Sequence, residues 1–141
     1  MTVNPLAAGP LPLLLRVLAA TGLGVDAYVH LHLASRYDPV GDSITQGGLF
    51  RVEAVVAILV GIALLVVDNR LVWLNAGLVG LGGVAAVLLY RYVNVPSIGP
   101  IPSMYEPIWF GEKTLSALAE GAVVLLFLVR EGLRRRPVRT A

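Results

Sequence analysis

Residues 49–89 read LFRVEAVVAILVGIALLVVDNRLVWLNAGLVGLGGVAAVLL. Two apolar runs, 49–67 and 71–89, flank a three-residue polar turn, Asp68-Asn69-Arg70. Each run approaches the roughly 20 residues that cross a hydrocarbon core about 30 Å thick at about 1.5 Å per helical residue. An isolated strand would leave its backbone N–H and C=O groups unpaired in lipid. Neither run alternates as a barrel strand does, so both are expected to be helices. The short turn makes them an antiparallel hairpin. Two more apolar runs lie outside the hairpin, at about 11–34 and 112–129. The expected fold class is therefore all-α: a polytopic membrane protein forming one four-transmembrane-helix bundle over residues 1–141.

Composition supports a lipid solvent. Of 141 residues, 57% are hydrophobic and 14% charged, with a mean hydropathy of +0.79. A soluble domain carries about a quarter charged residues. So few polar side chains could not cover a water-facing surface, which excludes a disordered tail, a nucleic-acid-binding domain and an ordinary cytosolic enzyme. Cysteine is absent, so there is no disulfide, thiolate nucleophile or Cys-ligated metal. The first run is expected to be retained rather than cleaved as a signal peptide. Residues 1–10 carry no Lys or Arg, and Asp26, His30 and His32 follow without a small-residue cleavage site.

Arginine placement predicts orientation. Arg130, Arg134, Arg135, Arg136 and Arg139 follow the fourth run, forming a basic tail at 131–141, and Arg70 sits in the hairpin turn. The other side holds mainly Arg36, Arg51, Arg91 and Lys113, several near carboxylates. The positive-inside bias puts both termini and the turn in the cytoplasm, with connections 35–48 and 91–111 facing outward across the plasma membrane. Ala76 with Gly80, and Gly82 with Ala86, form small-xxx-small pairs suited to close packing inside one bundle or to a homo-oligomer seam. Trp73, Tyr90 and Tyr92 are placed as interfacial belt residues.

Ionisable residues inside a span each cost about 2.5–3.5 kcal/mol on insertion scales, so their positions are informative. Asp26 and His30 share a helix face at i, i+4, as do Glu112, Ser116 and Glu120. Glu53 follows Arg51 near the outer end of the second run. Asp26 and Glu120 each lie about 13 Å below the outer ends of their runs, with Glu53 and His30 shallower at about 7–9 Å. Several chemistries fit. The groups can neutralise one another, Glu53 pairing with Arg51 or Arg36 and Glu120 with a hydroxyl. They can line an outward pocket for a small polar molecule or lipid headgroup, or carry protons or cations. They can also hold zinc, manganese or iron through His30, Asp26 and Glu53 or Glu120, although the paired Glu-x-x-His pattern of di-iron bundles is missing. His32 points to another face and reads as interfacial.

The segment 95–111, VPSIGPIPSMYEPIWFG, carries four prolines and three aromatics. Proline forbids a regular helix there, yet the segment is too apolar for a free linker. It is expected to be a stiff cap on the outer mouth, anchoring Tyr105 and Trp109 at headgroup depth; the alternative is a lid over the acidic pocket, with Tyr105 or Glu106 touching a ligand.

The polar first helix from Asp26 to His32, and Tyr105-Glu106-Pro107 followed by Glu112-Lys113, resemble features of small four-helix integral membrane proteins of actinobacterial type. In size and layout the chain is similar to the DoxX family. The resemblance covers all four runs, is architectural, and transfers no residue role. It implies an accessory role beside membrane redox complexes. The residues themselves point first to a binding or accessory membrane protein with an outward acidic and histidine pocket, formed by Asp26, His30, Glu53, Tyr105, Glu112 and Glu120. A proton- or cation-coupled transporter acting as a homodimer comes second. An intramembrane enzyme using His30 with a carboxylate comes third. The sequence identifies no cofactor. The bilayer is the expected partner, and nucleic acid is not.

Overall fold

The chain forms four apolar helices, with a short polar turn between the second and third and longer connections on either side of that hairpin. The computed structural model describes residues 9–135. Its regular elements are α1 (Leu11–Ala34), α2 (Gln46–Val66), α3 (Arg70–Tyr92) and α4 (Gly111–Arg135), and the described residues contain no strand. Arg136 and Arg139, on which part of the orientation argument rests, lie outside the described residues.

Local chemistry sets the helix ends. Pro12 stands in the first turn of α1, where a missing N–H goes unfelt. The Thr45 hydroxyl accepts from Gly48 N at 2.9 Å, so α2 starts at Gln46, ahead of its apolar run. Asn69 Oδ1 accepts from Val72 N at 2.9 Å and starts α3 within the turn. At the far end of α2, Arg16 of α1 donates to the carbonyls of Leu64 and Leu65. Those carbonyls lack intrahelical donors, and the guanidinium offsets the negative end of the helix dipole.

The helices form a ring in the order α2, α1, α4, α3. The α1–α2 contact is the most extensive, α4 packs on both α1 and α3, and the α2–α3 contact that closes the ring is the slightest of the four. Small residues make the close contacts. Ala19, Leu23 and Ala27 of α1 belong to one buried cluster with Ala54, Ala57 and Leu64 of α2. On α3, a Cβ at Gly80 would stand 2.7 Å from the Glu120 carbonyl oxygen, and one at Gly77 would stand 2.9 Å from the Phe127 ring. These glycines let α3 and α4 approach.

One end of the ring is bound by charge. Trp73, only 1% exposed, donates its indole N–H to Asp68 Oδ1 at 3.2 Å, and the Arg130 guanidinium lies 5.3 Å from its ring centre. Arg130 also donates to Asp68 at 3.0 Å and to Glu131 at 3.0 Å. Trp73 is therefore a core residue rather than a belt residue, because its polar edge finds a partner inside. Tyr90 likewise turns into a cavity wall, while Tyr92 stays exposed.

Much of the outer surface is apolar, with Leu13, Leu59, Ile62, Leu71, Leu78 and Leu81 all exposed. Three helical stretches are long and apolar enough to cross a membrane: Leu11–Tyr37, Gln46–Val66 and Arg70–Tyr92. In α4, Glu112, Lys113 and Glu120 interrupt the apolar run.

Candidate functional site

A cavity of about 230 Å³ occupies the half of the ring away from the charged end. All four helices contribute to it. From α1 come Val29, His30 and Leu33; from α2, Gln46, Leu49, Phe50 and Glu53. Gly82, Gly83, Ala86, Val87 and Tyr90 of α3 face them. Lys113, Ser116 and Glu120 of α4 complete the wall, with Tyr37, Met104, Glu106 and Phe110 at the loop side. The volume is many times that of one water site.

Two buried acids stand at the deep end. Glu120 is 1% exposed and Asp26 0%. Ser116 Oγ lies between them, 2.7 Å from Asp26 Oδ1 and 3.2 Å from Glu120 Oε1, so its single proton can serve either carboxylate. His30 Nδ1 is 3.0 Å from the Asp26 carbonyl oxygen and 3.0 Å from its Oδ1. With the proton on Nδ1, the imidazole donates to Asp26. One potential ligand atom from each of Asp26, His30 and Glu120 lies within 4.8 Å of the other two. Asp26 Oδ2, Glu120 Oε2 and Glu53 Oε1 are buried without a hydrogen-bond partner among the described residues.

Glycine makes room for this group. A Cβ at Gly83 would overlap the Glu120 carboxylate, whereas a Cβ at Gly82 would meet nothing within 4 Å. The His30 ring stands edge-on to Phe50 at 5.1 Å, and Phe50 in turn packs on Tyr37 at 5.2 Å.

The proline-rich connection covers the end of the cavity away from the hairpin turn. Glu106 N donates to the Tyr90 carbonyl at 3.0 Å, the Tyr37 hydroxyl donates to Glu106 Oε2 at 3.4 Å, and Lys113 Nζ donates to the Glu106 carbonyl at 2.6 Å. The segment is thus pinned to the turn that follows α1, to the last turn of α3 and to the first turn of α4.

Of the six residues singled out from sequence, the structure brings Asp26, His30 and Glu120 into one cluster, with Glu53 in the wall of the same cavity. Tyr105 and Glu112 do not line it. In extended chain successive side chains point to opposite sides, so Met104 and Glu106 face inward and Tyr105 faces out. Two four-residue steps carry a side chain about 80° round a helix, whereas seven residues return it to within about 20°. That is why Lys113, rather than Glu112, shares the cavity face with Glu120. Arg51 is not the partner of Glu53. It forms a two-pronged bond with Asp38 at 2.6 and 2.8 Å. Arg51 holds the exposed Asp38 carboxyl below its ordinary pKa by donating to the ionised form.

Gly83, Phe50 and Tyr37 were not among the residues chosen from sequence. The adjacent glycines at 82 and 83 were the available signal for an approach by another group. Comparison with protein-family profiles, curated proteins and solved structures finds no match to this chain.

Proposed function

We propose that the chain is an integral membrane binding protein with four spans, its termini cytoplasmic and its ligand pocket in the outer half of the plasma membrane. The fourth span is supported by the lipid-like outer face of α4, where Leu115, Leu118, Leu125, Leu128 and Val129 are exposed. Orientation is supported by Arg70, Arg130, Arg134 and Arg135, which occupy the α2–α3 turn and the last turns of α4.

The observation that carries the binding reading is the cavity itself, apolar and aromatic along its sides and acidic at its floor. Such a site accepts a small molecule or headgroup that presents hydrogen-bond donors or positive charge to Glu53 and Glu120. The DoxX-like layout fits a binding subunit that accompanies a membrane complex.

Native mass spectrometry of protein extracted in mild detergent tests this. A bound small molecule or lipid is expected on the wild type and should be missing from Gly82→Trp, whose side chain fills open space. A bare wild type, or an adduct that survives the substitution in folded protein, overturns the reading.

Cation-coupled transport is the second reading, favoured by the unpartnered oxygens of Asp26 and Glu120. Proteoliposome flux driven by a proton gradient and abolished by Glu120→Gln would support it. Flux that survives the substitution removes Glu120 as carrier.

A further inference from the structure

We infer that Asp26, His30 and Glu120 form a binding site for a divalent first-row transition metal whose remaining coordination positions open into the cavity. The inference deepens the binding reading, because the cavity is the route by which the ion and its other ligands reach the floor.

Two side chains within this group point to a missing ligand. Asp26 and Glu120 are more than nine-tenths buried, yet each keeps one oxygen without a partner among the described residues. Each such orphaned oxygen is costly in a dry interior. Once both are ionised, two adjacent carboxylates also need a counter-charge, and the single imidazole provides at most one. A divalent cation meets both needs at once.

The geometry suits it. Ligand atoms bonded at about 2.0–2.2 Å to one ion stand about 3–3.6 Å apart. The three donors here already lie within 4.8 Å of one another, so small rotations of the side chains close the shell. Ser116 Oγ, 2.7 Å from Asp26 Oδ1 and 3.2 Å from Glu120 Oε1, holds one oxygen of each carboxylate and leaves the other oxygen of each for the ion. Gly83 contributes by absence of a side chain, since a Cβ there would occupy the place of the Glu120 carboxylate.

One imidazole with two carboxylates is a nitrogen and oxygen set that suits Zn²⁺, Mn²⁺ or Fe²⁺, with no thiolate to favour copper(I). His30 and Glu120 face the cavity, so the side of the ion away from Asp26 is left for water or for a donor atom of a bound molecule. The site therefore has the open position typical of a metal that engages a ligand.

The test uses the full chain in detergent, stripped with EDTA and titrated with Zn²⁺ by calorimetry. One Zn²⁺ per chain is expected, with affinity about tenfold or more weaker in His30→Ala and Glu120→Gln. His32→Ala should be unaffected, since His32 lies on another face against Tyr28 at 5.8 Å. Co²⁺ supplies a second readout: visible d–d absorption in the wild type that is missing from Glu120→Gln. If that variant does not fold, Glu120→Asp keeps the charge while withdrawing the oxygens, and the same loss is expected.

Binding that is equal in all variants, binding lost only with His32, or a wild type that takes up no Zn²⁺ overturns the site. The two readings fail separately. A wild type that retains its adduct but binds no metal loses only the metal site. Zn²⁺ uptake that depends on Glu120 without any adduct loses only the small-molecule reading.

Discussion

Gly82 and Gly83 are chain neighbours with opposite duties. Gly83 leaves the space that the Glu120 carboxylate fills, so Gly83→Ala pushes that carboxylate off its Ser116 partner and should lower stability by about 1–3 kcal/mol. Gly82→Ala meets nothing within 4 Å and should gain up to about 1 kcal/mol from helix propensity. Thermal unfolding of both variants in one detergent checks the contrast. Ser116→Ala removes the hydroxyl between two buried acids and should cost about 1–3 kcal/mol in the same assay. Asp38 gives a pH signature. Its carboxyl is held below the ordinary range by Arg51, so what the pair adds to stability is present above the unfolded-state aspartate pKa and lost as pH falls through the folded-state value. An NMR titration should find the Asp38 midpoint low in the wild type and back in the ordinary range in Arg51→Ala. A midpoint unmoved by that substitution would contradict the assignment.

At the scale of elements, α4 is held to the hairpin turn by Arg130, which is only 7% exposed and contacts Asp68, Glu131 and Trp73 together. Arg130→Ala should cost about 1.5–3 kcal/mol. Arg134→Ala removes a more exposed partner of Glu131 at 3.2 Å and should cost no more than about 1 kcal/mol. How far the sequence reveals these elements depends on what sets each one. The hairpin is legible because apolar length and a three-residue turn leave little choice. The helix starts at Gln46 and Arg70 depend on single side chains, Thr45 and Asn69, that a count of apolar residues overlooks. The shared face of Asp26 and His30 follows from i, i+4 spacing. Repeating that step from Glu112 to Glu120 accumulates rotation, and so the spacing argument selects Glu112 where Lys113 stands. Trp73 was misplaced because proximity to a polar turn suggests an interface, while its actual setting depends on Arg130, distant in sequence.

For the molecule as a whole, the absence of cysteine allows single-site labelling to test the proposed orientation. Ile98→Cys, on the exposed proline-rich connection, should react with a membrane-impermeant maleimide in intact cells. Gly132→Cys, near the end of α4 where a Cβ would meet nothing within 4 Å, should react only after permeabilisation. The reverse pattern would invert the topology. The ion pairs of Arg130 with Asp68 and Glu131, and of Arg70 with Glu131 at 3.6 Å, gather at one end of the ring, and the cavity lies toward the other. The bundle is thus fastened like tongs at the handle. Any widening to admit a guest has to pivot about that fastening, and the seam between α2 and α3 is where it opens with least to break, because that contact is the slightest of the four.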